Sequence, residues 1–341
     1  MRGLLRGVLL AGLVAGAVPA WVLPAGAESF SFGAWGDLPY ARNHDAPKMP
    51  ALIADINRAE IAFSIFDGDI KDSSVACDDA AYAAAIARFD SLKAPVVYVP
   101  GDNEWTDCWH LKAGGYDALE RLDHLRRTMF ARPRSFGRRT LALEQQGAPG
   151  AAFSENTRFV HGGIVFLQLN VAGSDNNRVE SDALCLAKPK RDLAHCAADN
   201  AEFRARTEAD IAWLHQGFAL ARARQAPGLV LTFQADPHFD SVDSDAATFD
   251  VPGNQGYPDL IAQLVAEART YRGQILLIHG DSHYFRLDKP LAAQNDLIAN
   301  LTRLETFGSP NLHWVRIDVD TATPEVFAVR PQIVAQPPAG N

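Results

Sequence analysis

The sequence has no Cys-x-x-Cys spacing around its four cysteines, so nothing supports a structural zinc cluster. Beyond the first 27 residues it has no apolar run long enough to span a bilayer. It also has no surplus of positive charge. Lys and Arg total 32 against 41 Asp and Glu, a net charge of −9, which argues against a general nucleic-acid binder. Internal repeats are missing too, apart from one recurring pair, Gly-Asp. What remains is 341 residues, 48% of them hydrophobic, enough for one large α/β domain or two small ones.

The first 27 residues read as a secretory signal peptide. Arg2 and Arg6 give a positive start, an apolar run begins at Val8, and Ala25-Gly26-Ala27 fits a small-x-small cleavage site. A retained membrane anchor is the rival, and the glycines, prolines and cleavage pattern argue against it. Losing Arg2 and Arg6 takes the net charge from −9 to −11. Export to a periplasm or the exterior places the cysteines in an oxidising compartment, where an even count suggests two disulfides. Four cysteines allow three pairings. Cys77 and Cys108 follow two successive Gly-Asp turns, which meet if their strands are neighbours. Cys185 and Cys196 sit in one polar stretch and could close it. The expected pairs are therefore Cys77–Cys108 and Cys185–Cys196.

The Gly-Asp pairs carry the chemistry. Ala62-Phe63-Ser64-Ile65 runs into Phe66-Asp67-Gly68-Asp69-Ile70-Lys71-Asp72, a strand stopped by glycine among acids. The device recurs at Gly36-Asp37, Gly101-Asp102-Asn103-Glu104 and Gly280-Asp281-Ser282-His283, each after an apolar run. One Gly-Asp is a turn signal. Four of them put carboxylates along one sheet edge, where open α/β sheets bind ligands. Burying several like charges together is costly unless a cation compensates them, so the edge reads as a metal site.

Alternating strand and helix patterns predict right-handed βαβ units. Strands are expected over 29–37, 62–69, 95–99, 157–161, 164–171, 229–233 and 275–279. Helices are expected over 46–60, 79–92, 117–130, 203–224 and 259–271. Residues 132–150 read as a basic, then Gln/Gly-rich surface loop, and 173–200 as a long polar loop. Residues 301–304, 313–319 and 325–329 read as antiparallel strands of a second sheet. One domain over 28–330 and a loose, proline-containing tail over 331–341 complete the organisation.

This order of motifs resembles the calcineurin-like metallophosphoesterases, across most of the mature chain. The resemblance implies an α/β fold: a two-sheet mixed β-sandwich flanked by helices in four layers. It also implies two metal ions bridged by one carboxylate and a hydroxide that attacks a phosphate ester. Carried over by position, Asp37 fits the first aspartate, with Pro39 where the family has histidine. Asp69 fits the bridging aspartate. Asp102 stands for a metal-binding asparagine, Asn103 for the histidine that assists the leaving group, and Glu104 fits the acidic position. Gln234 is the candidate where another histidine is missing, with Asp236 behind it, though an ordinary strand-end amide is an equal reading. Asp281 replaces the first histidine of the last motif, and His283 keeps the second. The implied metal ligands are Asp37, Asp69, Asp102, Gln234, Asp281 and His283, and Asn103 and His283 are the implied catalytic positions. An oxygen-rich set suits Mn²⁺, Mg²⁺ or Ca²⁺ better than Zn²⁺ or Fe, with one or two ions held.

Several further residues have plainer competing roles. Tyr40 could replace the histidine missing at Pro39, with loop packing the favoured reading. Asp72 could be a ligand or stand behind the ligands, and His279, inside its strand, could stand behind them. His110 and His238 read as surface residues, Trp35, Trp105 and Trp109 as packing. Gly173-Ser174-Asp175-Asn176-Asn177 could contact substrate or simply cap a loop. Three functions compete. The first is a secreted phosphoesterase acting on a small-molecule, lipid or nucleotide phosphate ester. The second is a non-catalytic, metal-stabilised binding protein. The third, a polysaccharide-cleaving enzyme with paired carboxylates, fits the acids but not their placement after strands.

Overall fold

A computed structural model describes residues 28–239, 254–291 and 297–335. The expected signal peptide, 1–27, lies outside them, as does the tail beyond 335. Two sheets stack face to face. The first, five-stranded, has the order β12-β11-β1-β2-β3, from β1 (Ser29–Trp35), β2 (Ser64–Phe66), β3 (Val96–Tyr98), β11 (Trp314–Asp320) and β12 (Phe327–Gln332). The second, seven-stranded, has the order β4-β5-β6-β7-β8-β10-β9. Its strands are β4 (Glu144–Gln145), β5 (Thr157–His161), β6 (Ile164–Gln168), β7 (Gly228–Thr232), β8 (Gln274–His279), β9 (Arg286–Asp288) and β10 (Leu301–Glu305).

Side-chain alternation explains the layers. Phe32, Ile65, Val97, Phe166, Val230 and Leu276 point between the sheets. Their strand neighbours Trp35, Phe66 and Tyr98 face outward onto α1 (Met49–Arg58), α2 (Asp79–Asp90) and α3 (Ala118–Met129). On the other side Val165, Leu229 and Leu277 face the helices Leu193–Ala223 and Pro258–Thr270. Each strand thus buries both faces, the pattern period-2 alternation produces in a helix–sheet–sheet–helix stack. Parallel pairing of β1, β2 and β3, and of β6, β7, β8 and β10, brings their C-terminal ends to one edge.

Three expectations change. Residues 173–200 are no loop. They hold a tight turn, the short helix Asp182–Leu186 and the start of the 31-residue helix Leu193–Ala223. Asp192 caps that helix by accepting from the His195 amide at 2.9 Å, so helix begins ten residues before Phe203. Its first turns are polar because they cross the surface, which hid them from a hydrophobic-face pattern. The Cys185–Cys196 disulfide therefore joins two helices instead of closing a loop, while Cys77–Cys108 links the turns as expected. Second, 301–305 does not share a sheet with 314–320 and 327–332. β10 pairs parallel with β8, while β11 and β12 return to β1. Third, β12 runs into the stretch read as tail: Pro331 pairs with Val315, Gln332 with Trp314, and Val334 is buried.

Phe63 stacks on Phe32 at 5.3 Å and meets Phe166 and Phe159 edge-on at 5.0 and 5.1 Å. Phe63→Ala should therefore cost roughly 3–5 kcal/mol, read as a lower denaturation midpoint with the same slope.

Candidate metal centre

The edge where the strands end carries Asp37 after β1, Asp67 and Asp69 after β2, and Asp102 and Glu104 after β3, all buried, with Asp281 half-buried after β8. The backbone is bent to achieve this. Asp37, Asp69, Asp281 and His283 all hold positive φ, at 50°, 59°, 76° and 65°. Non-glycine residues enter that region at a cost and do so where function constrains them. Close approach does the rest. A Cβ at Gly280 would lie 2.1 Å from Asp37 Oδ2, and one at Gly173 would lie 2.8 Å from Asp281 Oδ1 and 2.9 Å from Asp102 Oδ2.

Asp37, Asp69 and His283 each offer a ligand atom within 4.8 Å of the others. His283 Nδ1 lies 2.7 Å from the Ser309 carbonyl, an acceptor only, so the proton sits on Nδ1. Its Nε2 then presents a lone pair, 3.5 Å from Asp37 Oδ1 and 3.2 Å from the Tyr40 hydroxyl. Asp37 accepts the Asp281 amide at 3.2 Å on both oxygens. Asp69 Oδ1 accepts the Asn103 amide at 3.1 Å, and its Oδ2 accepts the Tyr40 hydroxyl at 2.5 Å and the Asn103 side-chain amide.

The remaining candidates divide. Asp102 faces the cluster: Oδ2 accepts the Ser174 hydroxyl at 2.8 Å and Oδ1 has no hydrogen-bond partner. Asp281 joins it through the Gln234 amide, 3.3 Å from its Oδ1, and the Asp236 amide, 2.9 Å from its Oδ2. Gln234 Oε1, the atom that would ligate, accepts the Gly173 amide at 2.6 Å. Glu104 is a clamp. One oxygen accepts the Gly101 and Asp69 amides and the Tyr98 hydroxyl at 2.8, 3.2 and 2.7 Å, tying the turns after β2 and β3. Asp72 turns away, accepting the Ser74 and Arg42 amides at 2.7 and 2.9 Å. His279 is fully buried beside Phe233 and Phe239, and His238 is exposed.

Tyr40 is the residue the sequence undervalued. Fully enclosed, it sets its hydroxyl among Asp69, His283 and the Asn103 amide, 3.2 Å from the last, and packs edge-on to the His283 ring at 4.9 Å. Its position three residues after Asp37 was the available signal. Ser174 was the other partial miss. It belongs to a turn in which Ser174, Asp175, Asn176 and Asn177 all have positive φ, held by Arg206 bonding Asn176 and the Asn170 carbonyl.

The electrostatics call for a cation. Burial, then Asp67 and Asp281, pushes Asp37 well above the usual carboxylate range. Burial, then Glu104 and Asp37, does the same to Asp69, and burial with Asp69 to Asp102. Burial drives Asp281 to about 6 and Asp67 to about 7. Lys71, itself lowered by burial, spends its ammonium on the Asn103 and Asp72 carbonyls. An unpartnered Asp102 oxygen, a cluster of crowded acids and one exposed imidazole lone pair fit a hard divalent cation.

No protein-family model and no curated protein matches the sequence. Solved structures do. PhoD aligns over 90% of this chain and 69% of its own, with TM-score 0.50 and 11% identity. The chain has the calcineurin-like metallophosphoesterase fold. A dimetal phosphatase from Danio rerio aligns over 90% of this chain and 99% of its own (TM-score 0.48, 12% identity). A purple acid phosphatase from yellow lupin aligns over 91% and 54% (TM-score 0.47, 12% identity). The metallophosphoesterase fold accounts for the sheet order and for the edge on which the carboxylates stand.

Raised carboxyl pKa values stabilise the fold only while those groups are protonated. In chelator that contribution is complete below the ordinary 3.8 and is lost as pH climbs through about 6 and about 7, the values for Asp281 and Asp67. The chelated protein's melting temperature should fall between about pH 5 and about pH 8, and Mn²⁺ should flatten that fall. A chelated melting temperature that rises over this interval would contradict the crowding.

Proposed function

We propose that the chain is an exported, metal-dependent phosphoesterase acting on a small-molecule, lipid or nucleotide phosphate ester. The observation that carries this reading is the convergence of Asp37, Asp69 and the His283 lone pair on one point beside Asp102 and Asp281. Asp37 and His283 would hold one divalent ion, Asp102 and Asp281 a second, and Asp69 would be shared. Gln234 joins the second set only if its Oε1 is released by the Gly173 amide that donates to it. Mn²⁺, Mg²⁺ or Ca²⁺ suits this donor set better than Zn²⁺ or Fe. When bound, such ions supply positive charge to a phosphate and acidify water.

The chain's own groups do the rest. Asn103, held against Asp69, can orient a phosphate oxygen but has no proton to give at useful pH. The Tyr40 hydroxyl fixes the Asp69 and Asn103 side chains relative to His283. Ser174 presents a hydroxyl on the Asp102 side. A non-catalytic, metal-stabilised binding protein is the second reading, favoured by the Tyr40 hydroxyl standing between Asp69 and His283. We also propose cleavage after Ala27, with one domain following it. Among the described residues, no helix is long and apolar enough to cross a membrane.

Asp69→Asn should lower metal content more than any other single change, because it weakens a shared ligand. Unchanged metal in Asp69→Asn with total loss in Asp37→Asn would refute the sharing. Activity should favour aryl over alkyl phosphates, since the amide of Asn103 has no proton to give a poor leaving group. Asn103→His should flatten that dependence, general acid catalysis being worth roughly 10²–10⁴-fold. Absence of turnover of any ester with Mn²⁺, Mg²⁺ or Ca²⁺ would hand the case to the binding protein.

A further inference from the structure

Six arginines and no acid lie between positions 126 and 139 of a chain with net charge −9. Arg126 is committed to buried Glu155. Arg127, in the last turn of α3, complements that helix's C-terminal dipole. Arg139 donates to the Lys93 carbonyl at 3.3 Å. Arg132, Arg134 and Arg138 remain. All three are exposed, and they line one cleft of about 620 Å³ between the C-terminal ends of α2 and α3 and the segment that follows α3. No ion pair to any of the three occurs among the described residues. Asp90 is the acid that lines the cleft, and its Oδ1 accepts the Gly137 amide at 3.1 Å.

The backbone under these arginines is fixed. Phe136 and Val96 exchange amide bonds of 2.9 Å each, Arg138 N donates to the Leu92 carbonyl at 2.9 Å, and Ser135 N to the Leu141 carbonyl at 2.9 Å. Gly137 has φ of 100°, and a Cβ there would lie 2.4 Å from the Ala94 carbonyl. Three guanidinium groups thus stand on a preset frame, and a ligand would need to order only their side chains. Unpaired like charges on one concave wall repel one another until an anion compensates them. Arginine's planar fork matches oxyanions, and a tetrahedral phosphate offers oxygens in several directions, so several forks can converge on it. The cleft is remote from the carboxylate edge. Phe136 pairs with Val96, the first residue of β3, whereas Asp102 lies beyond its last, Tyr98.

We propose that this cleft binds a soluble anion bearing two or more phosphate groups, at a site separate from the metal centre. The test is calorimetric titration of the full chain, without added metal, with inorganic tripolyphosphate at low salt. Wild type should show saturable binding that weakens as salt rises. The triple variant R132A/R134A/R138A should bind on the order of 100-fold more weakly, charged hydrogen bonds being the interaction removed. Its metal content should match wild type, and Asp69→Asn should bind tripolyphosphate as wild type does. Should the triple variant fail to fold, R132K/R134K/R138K keeps the charge and loses the fork, and should still bind about 10-fold more weakly. The proposal is overturned if wild type gives no saturable binding, or if either triple variant, once folded, binds as wild type. It is equally overturned if Asp69→Asn alone abolishes binding, which would place the anion at the metal centre. Equal affinity for citrate, or sedimentation with phosphorylated-headgroup vesicles that tripolyphosphate does not compete, would also overturn it.

Discussion

Carboxylates forced together out of water are the constraint on which the rest of this structure depends. Five buried acids and a sixth, half-buried, share one sheet edge, and burial and mutual repulsion raise those that face the cluster. Such an edge persists only if the acids keep protons or if a cation neutralises them. Hydrogen bonds cover part of the charge. Asp69 is capped by Tyr40 and Asn103, Asp281 by the Asp236 amide, and Glu104 by two amides and a phenol. Asp102 Oδ1, Asp67 Oδ1 and Glu104 Oε2 are left without partners, and there the compensation stops.

Holding acids this close requires a frame that does not relax. Two strand-end turns are locked by Glu104. The turn after β3 is fixed again from behind, where Lys71 Nζ and both sulfurs of the Cys77–Cys108 disulfide surround the Asn103 carbonyl. The disulfide's packing on that carbonyl connects a covalent link to the orientation of Asn103. On the opposite side Arg206, buried against Trp105, holds the left-handed turn that carries Ser174. Strained backbone, covalent closure and buried cations therefore lie around the same few turns, the distribution expected where a site's geometry is over-determined by its surroundings.

Much of this was legible because the device is local. A strand followed by Gly-Asp fixes where an aspartate stands without knowledge of the partner strands, so Asp37, Asp69, Asp102 and Asp281 came directly from the chain. What depends on distant contacts was not legible. Gln234 reads equally as a ligand or a strand-end amide, and only the approach of the Gly173 amide shows its oxygen engaged. Tyr40 reads as a loop aromatic until β2 and the turn after β8 bring Asp69 and His283 to its hydroxyl. The sheet joined by β10 depends on its partner β8, since alternation sets a strand's faces and not its neighbours. The polar start of the helix Leu193–Ala223 shows no apolar face to betray it.

Tyr40 and Asn103 explain each other. With proline at position 39, no imidazole follows Asp37, and the phenol one residue on reaches the space between Asp69 and His283. An imidazole at position 103 would compete with that phenol for Asp69 Oδ2, whereas the smaller amide shares it, donating to both Asp69 and the Tyr40 hydroxyl. Tyr40 and Asn103 thus belong to one hydrogen-bond network, and groups in such a network do not act additively. Tyr40 and Asn103 aim neutral hydrogen-bond donors at Asp69, which spreads the negative charge on its Oδ2.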